Sequence, residues 1–95
     1  MNTTLFFYQE VINAVSEATD ITQENILHSR TEQATNARYL LIQILSVRLT
    51  DEAISSLLGI TRQAANKARN HFAQRARASW ELRQFYGLLS PRFPP

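Results

Sequence analysis

The sequence predicts an all-α protein, a compact helical bundle, and three observations predict it. Apolar residues recur at three- and four-residue spacing along most of the chain, the period of a helix with one buried face. Thr22, Thr31, Thr50 and Thr61 each stand just ahead of such a stretch, where a hydroxyl can accept a bond from an orphaned amide. Strand alternation and the Gly/Pro turn pairs of hairpins are absent.

Leu5, Tyr8, Val11, Ile12 and Val15 share one helical face, which predicts a first helix over residues 4–18, interrupted by Thr19 and Asp20. Ile26 and Leu27 then suggest a short turn of helix over 22–28, capped by Thr22. A second long helix follows over 31–47, capped by Thr31. Its apolar face (Ala34, Ala37, Leu40, Leu41, Ile44, Leu45) is broad enough to place it at the centre of the core. Thr50 with Asp51 and Glu52 reads as a cap followed by acids facing a positive helix end. That helix is short, because Gly59 is the natural left-handed residue at its end. Thr61 opens another only two residues later.

The tight junction is the most informative feature. Counting Asp51 as the first of twenty positions, Ile54, Ser55, Leu58, Gly59, Ile60, Ala65 and Ala68 fall where a helix-turn-helix over residues 51–70 needs them. Such a unit wants a small residue within its first helix, glycine at the turn and apolar residues at fixed offsets. On a helical wheel of residues 62–77, Arg62, Gln63, Asn66, Lys67, Arg69, Asn70, Gln74 and Arg77 share one sector. Ala64, Ala65, Ala68, Phe72 and Ala76 share the opposite one. The polar sector carries no carboxylate, and its side chains are those that pair bidentately with base edges.

Charge agrees with that reading. The net charge of +2 divides into −2 over residues 1–50 and +4 over residues 51–95. Between Ile60 and Ser79 stand five cations, Arg62, Lys67, Arg69, Arg75 and Arg77, and no acid. A basic block on one element is the footprint of a nucleic-acid face. The expected partner is double-stranded DNA, with Arg62, Gln63, Asn66, Lys67 and Asn70 reading bases. Thr61, Arg69, Arg75 and Arg77 are expected to meet the phosphate backbone.

Upstream residues add a resemblance. Val11–Ile21, then Asn25-Ile26-Leu27-His28-Ser29-Arg30 (similar to D-L-L-S-x-x-R), then Ala37-Arg38, and finally Ile54-Ser55-Ser56-Leu57-Leu58-Gly59 (similar to I-G-x-x-F-G) follow the order of one family. Over residues 10–78 the chain resembles the C-terminal DNA-binding domain of the replication initiator DnaA, within the Trp-repressor-like fold. The resemblance implies that Arg30 and Arg38 contact the DNA backbone. It does not carry over the initiator's target, because Ile60-Thr61-Arg62-Gln63-Ala64 stands where the family has R-D-H-[ST]-T. Nothing in these 95 residues corresponds to the family's nucleotide-binding module.

Other chemistry finds little support. With no cysteine there is no disulfide or thiolate site, and two glycines leave no phosphate-cradling loop. His28 and His71 lack ligand partners at metal spacing. Adjacent Asp51 and Glu52 diverge on a helix and cannot converge on one substrate atom. No serine has the elbow or base that a nucleophile requires. The reading is therefore a non-enzymatic, cytoplasmic domain without cofactor, metal or nucleotide. Apolar runs such as Leu40–Ile42 are far shorter than the ~20 residues of a membrane span.

Two alternatives stay open. Trp80, Leu82, Phe85, Tyr86, Leu88 and Leu89 either pack on the first helix near Leu5, Phe6 and Phe7 or form the seam of a homodimer. A DNA-binding role in transcription control, or in replication or maintenance of a mobile element, competes with a protein-interaction adaptor that keeps the fold. Residues 91–95, rich in proline, are expected to be a disordered tail closing a domain of residues 1–90.

Overall fold

In the computed structural model, which describes residues 2–95, local capping chemistry sets nearly every helix boundary. Helix α1 (Thr3–Thr19) starts at Asn2, whose side chain accepts from the Leu5 amide, and stops at Asp20 in the left-handed region (φ 58°). Helix α2 (Gln23–His28) is capped by Thr22 through the Asn25 amide. Helix α3 (Glu32–Leu45) is capped by Thr31 through the Ala34 amide. Helix α4 (Asp51–Leu58) and helix α5 (Arg62–Asn70) open the same way, with the Thr50 and Thr61 hydroxyls accepting from Ala53 and Ala64. Helices α6 (Phe72–Ala78) and α7 (Trp80–Leu89) and a 3₁₀ turn (Ser90–Arg92) complete the chain, and no strand occurs among the described residues.

Helix α3 is the axle. Ala34, Ala37, Leu40, Leu41, Ile42, Ile44 and Leu45 are all buried, and the helix packs against α1, α2, α5, α6 and α7. Helix α5 packs on α3, and α4 packs in turn on α5. Gly59 (φ 71°, ψ 31°) turns the chain between them, and its amide and that of Ile60 both donate to the Ser55 carbonyl. Ile54, Leu58, Ala65 and Ala68 close that junction in the common core, with the small Ser55 buried beside them.

Two expectations are corrected here. Residues 62–77 are not one rod: the backbone bends at His71 (φ −99°, ψ 4°), separating α5 from α6. Tertiary anchors account for the bend, because Phe72 is buried with its ring 5.1 Å from that of Tyr86, while Arg75 lies over the Tyr39 ring. A wheel drawn straight through His71 therefore overstates the continuity of the polar sector. The residues beyond Ser90 are not a loose tail either. Phe93 is buried, edge-on to Phe7 at 6.1 Å. Arg48 covers Phe7 and donates through Nε and Nη2 to the Pro94 carbonyl at 3.1 and 3.0 Å.

Helix α7 packs within the chain along one side and is exposed along the other. Leu82 and Leu89 are fully buried, with Phe85 and Tyr86 packed partly against the core, so the segment does pack within the chain. Trp80 and Leu88 point outward, as does Phe6 on α1. Helix α1 packs on α7, and its Phe7 meets Phe93 beyond the end of that helix.

Candidate nucleic-acid interface

The Thr61 cap sets where α5 begins, and Ala65 (0% exposed) and Ala68 (4%) set which side faces inward. The opposite side carries Arg62, Gln63, Asn66, Lys67 and Asn70, and all five are exposed. Ala64, placed by periodicity on the inner side, is exposed as well. The helix thus presents guanidinium, ammonium and amide groups on a face that no other element covers.

That face is partly organised from outside α5. Asp51, at the first position of α4, accepts two parallel bonds from Arg69, Nε to Oδ1 at 3.0 Å and Nη2 to Oδ2 at 3.1 Å. Its Oδ2 also accepts from Asn66 Nδ2 at 2.9 Å, and Asn66 Oδ1 in turn accepts from Asn70 Nδ2 at 3.0 Å. The chain of donors has a direction. Because the carboxylate can only accept, Asn66 turns its amide nitrogen toward it and its carbonyl toward Asn70. Asn70 is left with its carbonyl oxygen outward, an acceptor suited to the amino groups of adenine or cytosine. The Arg69 and Asn66 bonds hold the Asp51 carboxyl down at about 2, so it stays ionised.

A shallow depression lined by Thr50, Asp51, Glu52, Arg62, Gln63 and Asn66 lies at the N-terminal end of the same face. Two carboxylates therefore border a face that its own helix leaves free of acids. At the other end, a groove of about 360 Å³ is lined by Tyr39, Lys67, His71, Gln74, Arg75 and Ala78, with no acid among them. Asp51, Tyr39 and His71 are the site residues that periodicity did not single out. Asp51 read only as a partner for its own helix dipole, and Tyr39 sits on a helix far away in sequence.

The residues expected to hold phosphates fall into two groups. Arg30 and Arg77 are exposed. Arg38 is not free in the same way: its Nε donates to the Ile26 carbonyl at 2.8 Å and its Nη2 to the Ser29 carbonyl. Burial pushes the pKa of this guanidinium down, though an arginine keeps its charge at neutral pH. Arg38 ties the end of α2 to α3 and leaves Arg30 standing alone. Arg69 is engaged by Asp51, and Arg75 donates to Asn36 Oδ1 at 2.8 Å while stacked 4.5 Å from the Tyr39 ring centre. The Thr61 hydroxyl is taken up by the Ala64 amide.

No family model, no curated protein and no solved structure matches the chain. Among the described residues, no group of three or more His, Cys, Asp or Glu could hold a metal ion, and no helix is long and apolar enough to cross a membrane.

Proposed function

We propose that the chain binds double-stranded DNA with α4 and α5 acting as a helix-turn-helix, in transcription control or in replication or maintenance of a mobile element. One observation carries the reading: the uncovered α5 face of Arg62, Gln63, Lys67 and Asn70, opposite the clamped Ala65 and Ala68. In this reading α5 enters the major groove, its first residues reach base edges, and the exposed Arg30 and Arg77 meet phosphates. The motif likeness to the DnaA DNA-binding domain supports the same placement, and the proposal includes a cytoplasmic location and a homodimer reading a two-fold site.

Titration of a random-sequence duplex against salt tests it. With the exposed Arg30 and Arg77 neutralising two phosphates, log K falls against log salt with a slope of about −2. Arg62→Ala lowers affinity for a selected site by about 1–3 kcal/mol and relaxes its specificity, whereas Arg77→Ala weakens all duplexes alike. Absence of duplex binding at low salt overturns the proposal. It would favour a protein-interaction adaptor, the reading supported by the outward-facing Phe6, Trp80 and Leu88 (61%, 65% and 62% exposed).

A further inference from the structure

Away from α5, a cleft of about 410 Å³ opens between the first turns of α3 and the start of α7. Ile21, Ala37, Leu40 and Leu82 contribute an apolar floor, of which the last three are buried core residues. Trp80 lines the cleft with 65% of its surface exposed, on a helix start held in place by the Ser79 hydroxyl accepting from the Leu82 amide. Glu32 and Glu81 are the only charged residues in the lining. Neither forms an ion pair among the described residues, where the one salt bridge joins Asp51 to Arg69.

We infer that this cleft docks a protein segment bearing an arginine or lysine beside an apolar side chain. The indole face attracts a cation through its quadrupole, most strongly at tryptophan. Two unpaired carboxylates in the same lining add charge-assisted hydrogen bonds, and the floor accepts the neighbouring apolar group. A large aromatic side chain in a concave, partly apolar site is also the usual anchor of a protein contact. Charge selects the class of partner. An acidic or phosphorylated segment, or a duplex, would bring like charge against Glu32 and Glu81. The site does not depend on the DNA reading, and duplex binding by α5 neither requires nor excludes it.

Trp80 is the chain's single tryptophan, so its emission reports on this cleft alone. The full chain is titrated with a heptapeptide of alternating leucine and arginine, and with leucine–glutamate and leucine–serine counterparts. The inference expects a saturable change in emission with the arginine peptide, no change with the glutamate peptide, and weakening at high salt. Glu32→Gln/Glu81→Gln lowers affinity for the arginine peptide by about fivefold, the effect of two exposed charge pairs. The circular dichroism of that variant, unchanged from the parent, excludes misfolding as the cause. Equal response to the arginine and glutamate peptides, or unaltered affinity in the double variant, overturns the inference. So does a dimer in sedimentation whose Trp80 emission, measured separately, is shielded from a soluble quencher.

Discussion

Asp51 and Arg69, eighteen residues apart, are joined by two parallel hydrogen bonds that fasten the first residue of α4 to the last turn of α5. The planar guanidinium matches the carboxylate fork, so the pair bridges the two helices bidentately beside their buried Ile54, Leu58, Ala65 and Ala68. It also engages one of the arginines proposed to meet phosphates and leaves Asn66 and Asn70 in a defined orientation.

The pH dependence of stability follows from this pair. Asp51 has its carboxyl depressed to about 2 by Arg69 first and Asn66 second. A depressed carboxyl contributes stability that is complete above its unfolded value of about 4 and is lost as pH falls through its folded value. Thermal melts of Asp51→Asn are therefore expected to lose less stability than the parent between pH 4 and 2. Between pH 5 and 8 the difference between the two proteins is expected to stay constant.

The two glycines are expected to respond with opposite signs. Gly59 holds φ at +71° with nothing within 4 Å of a prospective Cβ, so Gly59→Ala costs about 1 kcal/mol from backbone strain rather than from a clash. Gly87 lies within helix α7 in equally open surroundings, and Gly87→Ala stabilises by about 0.5–1 kcal/mol through helix propensity. Urea unfolding of both variants checks the pair. A stabilising Gly59→Ala would show that the turn does not need its left-handed residue.

Arg30 and Arg38, paired by the motif resemblance, separate in their effects. Arg38→Ala leaves the Ile26 and Ser29 carbonyls without their donor and is expected to lower stability by about 1–3 kcal/mol. Arg30→Ala, at an exposed position, is expected to leave the melting temperature within error and to reduce duplex affinity and its salt slope. Melting curves and salt titrations of both variants distinguish the two roles.

Removal of residues 93–95 is expected to destabilise the domain. Phe93 is buried against Phe7, and Arg48 loses its Pro94 acceptor with the deletion. Truncation of a buried phenylalanine costs about 3–5 kcal/mol in an enclosed core, and the value here is expected near the lower end because the site borders solvent. Phe93→Leu, which keeps apolar volume, is expected to recover most of the loss.

The sequence by itself determined the all-α class and four of the helix starts, because a threonine hydroxyl capping an amide three residues on is a local event. Thr22, Thr31, Thr50 and Thr61 all cap the helices they precede. It also determined the inner face of α5, since Ala65 and Ala68 are spaced for it. Tertiary structure alone decided the bend at His71, the burial of Phe93 and the engagement of Arg38, Arg69 and Arg75. Each depends on a partner distant along the chain: Tyr86 for Phe72, Phe7 for Phe93, Ile26 for Arg38, Asp51 for Arg69, Tyr39 for Arg75. Periodicity reports which side of a helix a cation occupies. Whether that cation meets solvent, a carbonyl or a carboxylate is set by what folding brings beside it.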